Sequence, residues 1–189
     1  GTGRDSRVKM EYVALLRGIN VGGKNKVVMG ELRRQVEDMG CADVRSYINS
    51  GNVLFETDAP EPEISRAFAA MLKERYPFPI RLAILSREDY LSEVPDLPTW
   101  WSEPIARRDV LFFTREMDAQ YARRRIKSMP LGDESIHFGR HVVFWGKFSE
   151  SEYLRTAYHR LLMREDFYPL LTIRSGNTFD AIATLLTRS

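Results

Sequence analysis

The sequence predicts an α+β protein made of two ferredoxin-like halves, each β-α-β-β-α-β with a mostly antiparallel sheet, plus a C-terminal helix. Three observations carry this. Short apolar runs alternate with longer amphipathic stretches whose apolar residues recur at helical spacing. Polar turn residues separate the second and third apolar runs of each half. The whole order then repeats, a duplication of pattern without a clear residue-level repeat.

The first half covers residues 10–86, after a polar leader over 1–9 that is expected to be flexible. "YVALLR" (12–17) reads as a strand. "MGELRRQVEDMG" (29–40) places Met29, Leu32, Val36 and Met39 on one helical face and stops at Gly40. "VRSYI" (44–48) and "NVLFE" (52–56) are strands joined by Asn49-Ser50-Gly51, which is turn chemistry. "EISRAFAAMLKERY" (63–76) carries the stripe Ile64, Phe68, Met71, Leu72 and Tyr76, and Pro77 and Pro79 end it. "IRLAIL" (80–85) closes the half as a strand.

Residues 87–107 form a connector. Ser86 with Asp89 marks a short capped helix, and "PDLPTWWSEP" (95–104) a loop whose Trp100 and Trp101 are expected to pack the halves together. The second half, 108–189, begins with the strand "DVLFFT" (109–114) and the helix "DAQYARRRIKSM" (118–129). "SIHF" (135–138) and "HVVFWG" (141–146) make a hairpin over Gly139-Arg140. "SESEYLRTAYHRLLM" (149–163) reads as one helix opened by a Ser149/Glu152 capping box. "LLTIR" (170–174) is the last strand, and a helix over roughly 178–187, capped by Asn177 or Thr178, ends the chain.

Composition narrows the function classes. With 43% hydrophobic and 29% charged residues, the chain has the balance of a water-soluble domain. No apolar run reaches the roughly 18 residues of a membrane span, and the polar opening "GTGRDSRVKM" lacks a signal-peptide core, so no membrane partner is expected. The single cysteine, Cys41, excludes an internal disulfide and a multi-cysteine zinc site, which makes a reducing cytoplasm the expected location. A net charge of +2 does not demand nucleic acid but permits a local basic patch. No residue pattern implies a cofactor. His137 and His141 would point to opposite faces of their hairpin, which argues against a shared metal. The carboxylates show no acid/base spacing, and no nucleophile has a readable His/Asp partner.

One loop concentrates the interest. "GINVGGKN" (18–25) matches the phosphate-cradling P-loop GxxxxGK[ST] except at its last position, where Asn25 replaces the magnesium-binding hydroxyl. A P-loop also starts its helix at the Gly-Lys pair, whereas here the helical pattern begins near Met29. The ferredoxin-like topology offers another role. Its strands 1 and 2 run the same way, so the loop after strand 1 and the hairpin after strand 2 emerge at one end of the sheet. That collects Arg17, Asn20, Gly22, Gly23, Lys24, Asn25 and Lys26 opposite Asn49, Ser50 and Asn52. Cations, amides and glycine-exposed N–H groups together suit a phosphate, a carboxylate or a nucleic-acid backbone. A glycine turn with solvated lysines is the alternative. A second candidate is "TIRSGNT" (172–178), where Arg174, Asn177 and Thr178 lead into a helix N-terminus, a place that favours anions. RNA binding on the sheet face is disfavoured, because "NVLFE" lacks the aromatic RNA-binding pattern.

"YVALLRGINVGGKNKV" together with "SYINSGNVLF" closely resembles the opening of a bacterial family of unknown function, DUF1697, over roughly residues 11–56, and the closing arginine motif at 172–178 agrees more weakly. The family usually shows Asn-Trp-Asn-Thr after that arginine; this chain has Ser175-Gly176-Asn177-Thr178 and so lacks the tryptophan. The resemblance implies a compact cytoplasmic α+β protein with two ferredoxin-like lobes, and supplies no reaction, substrate or cofactor. The expectation is therefore a binder of a phosphate-bearing or anionic ligand, a nucleotide or nucleic acid, at the 18–26/49–52 end of the first sheet. A small enzyme of unknown reaction and a protein-interaction module using the arginine-rich helix 118–129 are the alternatives.

Overall fold

The computed structural model describes residues 8–188; residues 1–7 of the expected leader lie outside the described residues. Two units meet between Arg87 and Glu88. The first contains β1 (Met10–Arg17), α1 (Met29–Asp38), β2 (Ala42–Tyr47), β3 (Asn52–Thr57), α2 (Glu61–Arg75) and β4 (Arg81–Ser86). Its sheet has the order β2-β3-β1-β4, with each neighbouring pair antiparallel. Alternation along β1 explains the core. Tyr12, Ala14 and Leu16 share the face that meets Leu32 and Val36 of α1 and Ile64, Phe68 and Leu72 of α2. Across the β1–β3 ladder Tyr12 lies opposite Phe55, and the two rings stack at 5.9 Å. Burying such a side chain contributes about 2 kcal/mol, so these stripes hold the helices to the sheet.

The boundary falls at the start of α3 (Arg87–Ser92). The second unit contains β5 (Arg107–Phe113), α4 (Ala119–Lys127), β6 (Glu134–Phe138), β7 (Val142–Lys147), α5 (Ala157–Arg160), β8 (Leu171–Ser175) and α6 (Gly176–Thr187). Its sheet repeats the first in order, β6-β7-β5-β8. Leu111, Val143 and Trp145 face α4 and α5. On the opposite parity Phe144 meets Trp101 and Phe179 edge-on at 5.0 and 5.2 Å, and Tyr90 stacks on Phe179 at 4.7 Å. Trp101, expected to pack the halves together, is thus occupied inside the second unit, and Trp100 lies over Gly146 there.

The expected helix over 149–163 breaks into 3-10 turns at Glu150–Arg155 and Leu162–Arg164 around the short α5. Ser149 makes no side-chain cap; Thr156 caps α5 instead, accepting from the His159 N–H. The break has a long-range cause. The buried Glu134 carboxylate accepts the N–H groups of Gly132, Ala157 and Tyr158 and the Trp145 indole, which starts a helix at 157. The 139–142 turn also moves by one residue. Gly139 donates to Val142 O, leaving Arg140 and His141 at the tip, where both N–H groups bind the buried Glu93 carboxylate. His137 then packs on Phe144 while His141 faces Asp89, and no group of three or more metal-ligating side chains occurs among the described residues. No helix among them is long and apolar enough to cross a membrane.

Candidate functional site

β1 ends at Arg17, and the chain turns at once through Gly18, whose φ is +95°. Residues 20–25 form a miniature hairpin. The Asn20 N–H donates to Asn25 O and the Lys24 N–H to Val21 O, both at 3.0 Å. Gly22 and Gly23 occupy the tip with φ of +58° and +73°, the positive pair that a type I′ turn requires. Asn20 and Asn25 flank it, each at φ 54°, a region asparagine tolerates. The Asn25 amide donates to Gly18 O at 3.0 Å and closes the loop. Asn25 is therefore a clamp where a P-loop places its magnesium hydroxyl. α1 starts only at Met29, so no helix N-terminus meets Gly23-Lys24. P-loop chemistry has no geometric basis here.

The juxtaposition expected from topology is present. The Asn20 amide donates to Asn49 O at 2.8 Å and to Val27 O at 3.0 Å, and its oxygen accepts the Val27 N–H at 2.8 Å. The Leu16 N–H donates to Gly51 O, a second tie between loop and hairpin. Asn52 is buried and donates to Tyr47 O and Ser50 Oγ. Asn20, Asn25 and Asn52, expected to orient a ligand, are thus engaged in holding the two turns. Left-handed turns need local side-chain bonds, and asparagine provides them. Asn49 is exposed, while Arg17 and Ser50 are half-buried and partnered. The Lys24 and Lys26 side chains are exposed and bond to no described residue. Beside them Ile48 is 51% exposed at φ +50°, an unfavourable conformation for a β-branched residue.

The second candidate divides. Arg174 is buried and donates to Thr172 Oγ1 and Ile173 O, and Thr178 is buried against the true cap of α6, Ser175. α6 therefore begins at Gly176, two residues before the expected start. Asn177 alone of the three lines a cleft of about 820 Å³ in this unit. The cleft opens where β8 stops pairing with β5 at Asp109↔Ser175 while β5 continues back to Arg107. Arg108 donates to Trp101 O, Asp180 and Asn177 at 2.8–3.1 Å. A Cβ at Gly176 would sit 2.7 Å from the Arg108 guanidinium carbon. The arginine thus lies against the position where the resembled motif has tryptophan.

On the other parity of β5, Asp109 accepts from Lys147 Nζ at 2.5 Å. That ammonium lies 3.2 Å from the Tyr158 ring centroid, and the residue is 1% exposed. Burial lowers the Lys147 pKa against the opposing pull of Asp109, and burial raises that of Tyr158. Arg107 covers the Tyr153 ring at 3.7 Å and pairs with Glu150. Sequence reasoning passed over this group, although strand parity carried a signal. Asp109 shares the inward parity of Leu111, and Lys147 that of Val143 and Trp145.

The arginine-rich α4 is largely engaged at home. Arg123 donates to Gly139 O and Arg140 O and covers the Phe113 ring, while Arg125 forks onto Glu165. Cys41 is buried, and burial pushes its thiol up to about 11, which keeps it protonated at neutral pH.

The chain is similar to the solved structure of the conserved bacterial protein SP0830 from Streptococcus pneumoniae. The two are 43% identical, the match covers 95% of this chain and 99% of that one, and the TM-score is 0.90. No curated protein matches it. Residues 10–144 match the family model described as "Protein of unknown function (DUF1697)". The chain belongs to the DUF1697 family.

Proposed function

We propose that the protein binds a phosphate-bearing ligand, a nucleotide or nucleic acid, at the tied turns 18–26 and 48–52. One observation carries this reading: the Asn20 side chain fastens the two turns together, while the Lys24 and Lys26 side chains beside them are exposed and bond to no described residue. The scaffold is ordered before any ligand arrives, which reduces the entropy cost of binding. The Gly22-Gly23 tip has open space where side chains would stand, so a ligand can approach the backbone there. Lys24 and Lys26 supply charge, Asn49 a hydrogen-bonding amide, and Arg17, Asn20, Asn25 and Asn52 the frame. Two solvated ammonium groups act mainly through charge, so affinity falls with salt. The single cysteine supports the cytoplasm as the compartment.

Calorimetry against nucleotides and short oligonucleotides at low and physiological salt tests the proposal. The expected result is salt-sensitive binding that the Lys24→Ala/Lys26→Ala double variant weakens at least about tenfold, since two charged contacts near 1 kcal/mol each exceed the 1.4 kcal/mol of one decade. A double variant that binds every hit as tightly as the wild type overturns it.

A further inference from the structure

The helix layer of the second unit turns an outer face to solvent. Ala122 and Ile126 of α4, and Ala157, Tyr158 and Leu162 of the later segment, are buried toward the sheet. Three ties set the two segments side by side and antiparallel. The Tyr121 ring meets Phe167 edge-on at 6.1 Å, Arg125 pairs with Glu165 at 2.9 Å, and a Cβ at Gly132 would stand 3.2 Å from Arg155 O. The exposed residues between these ties therefore share the outward side of the layer. Their charge is largely uncompensated. Arg124, Lys127, Arg160 and Arg164 are exposed, and their side chains bond to no described residue. Glu150, Glu152 and Glu165 are already paired with Arg107, Arg155 and Arg125, which leaves Asp166 as the remaining carboxylate of the later segment.

Apolar side chains are mixed with these cations. Leu131, Leu154, Leu161 and Met163 are exposed, Leu154 to 66%. With Tyr121 they make five of the seven large hydrophobic side chains exposed among the described residues of the second unit; Val94 and Phe138 are the others. Single exposed apolar residues need no partner, but a set gathered on one face marks an interaction surface. Three of them have a cation as chain neighbour: Leu154-Arg155, Arg160-Leu161 and Met163-Arg164. We propose that this face lies on a bilayer containing anionic phospholipids. The cations meet the headgroups, and the leucines and methionine reach the boundary between headgroups and acyl chains. Charge complementarity selects an anionic partner, and the aliphatic side chains select lipid over nucleic acid. A nucleic-acid face offers amides to base edges and rings for base stacking. Here Gln120 and Tyr121 are the only exposed amide and ring of the two segments. The expectation of no membrane partner rests on the lack of a spanning run, which a face that lies on the bilayer does not need. Anionic lipid is also characteristic of the cytoplasmic leaflet, on the side of the membrane proposed above for this chain.

Co-sedimentation of the full chain with vesicles of phosphatidylcholine alone, and of phosphatidylcholine mixed with phosphatidylserine, tests this. The expected result is binding to the mixed vesicles that added salt weakens, with little binding to the neutral ones. One basic residue near such a surface contributes about a factor of five, so Arg160→Ala/Arg164→Ala should weaken binding about twentyfold. Leu154→Ser/Met163→Ser, which removes apolar contact and no charge, should weaken it at least about fivefold. A missing response to phosphatidylserine, equal binding to neutral vesicles, or binding that either double variant leaves intact overturns the proposal. Binding of a single-stranded oligonucleotide, or self-association, that the arginine variant removes in place of vesicle binding also overturns it and gives the face to that partner. The lipid comparison with the wild-type chain needs no variant, so misfolding of a substituted chain does not blunt the test. Arg160→Ala/Arg164→Ala should leave ligand binding at Lys24 and Lys26 unchanged, so the two proposals fail separately.

Discussion

Removal of the Asn20 side chain tests how the two turns of the first unit are held. Asn20→Ala deletes three hydrogen bonds of 2.8–3.0 Å, two to Val27 and one to Asn49. Each is worth about 1 kcal/mol net. The substitution also places a Cβ without a bonding amide at φ 54°, which costs about 1 kcal/mol more. Partial solvent access reduces the total, and a loss of about 3 kcal/mol is expected. Asn20→Gly deletes the same bonds but occupies positive φ freely, so it should cost about 1 kcal/mol less than alanine. Urea unfolding followed by circular dichroism measures both. Tryptophan fluorescence is a poor monitor, because Trp100, Trp101 and Trp145 all lie in the second unit. Amide exchange at Leu16, whose N–H binds Gly51 O, gives a local readout and should accelerate in both variants. An alanine variant within about 0.5 kcal/mol of the wild type, where ordinary surface substitutions fall, would refute the tie. A glycine variant as damaged as alanine would refute the backbone part of the reasoning.

Other outcomes follow from the same contacts. Glu134→Gln sets an amide N–H₂ among four N–H donors, and chemical denaturation should show a loss of about 3 kcal/mol. Gly51→Ala places a Cβ 2.8 Å from Leu16 Cβ at φ +89°, so its midpoint should fall by more than that of Gly22→Ala, where the space is open. Tyr90 and Tyr158 are held above the usual tyrosine range chiefly by burial, so they ionise in the unfolded chain first. Their stabilisation is complete below about pH 10 and declines above it by about 1.4 kcal/mol per pH unit for each tyrosine; urea midpoints against pH, with Tyr158→Phe, test this. Cys41, with its thiol pushed up to about 11, should resist a disulfide reagent at pH 8 until the chain unfolds.

Much of the fold was legible because it rests on local periodicity. Tyr12, Ala14 and Leu16 alternate inward, Leu32 and Val36 repeat at helical spacing, and the β-α-β-β-α-β order leads to the observed strand order. The meeting of 18–26 with 49–52 was legible for the same reason, since topology alone places those turns together. The roles inside it were not. Asn20 reads as a ligand group until its acceptors, Val27 O and Asn49 O, are known, and the second lies 29 residues away. The interrupted helix at 149–163 has helical spacing, but Glu134 captures the Ala157 and Tyr158 N–H groups from a distant strand. Lys147 and Asp109 each showed a charge at an inward position, while their meeting depends on the register of β5 against β7.

Amide NMR titration with pyrophosphate and a short oligonucleotide tests the proposed anion-receptive surface at the tied turns most directly. Saturable shifts are predicted at Gly22, Gly23, Lys24 and residues 48–50, reduced in the Lys24→Ala/Lys26→Ala variant and weakened by salt. Shifts that are absent there, or that survive removal of both lysines, would contradict it.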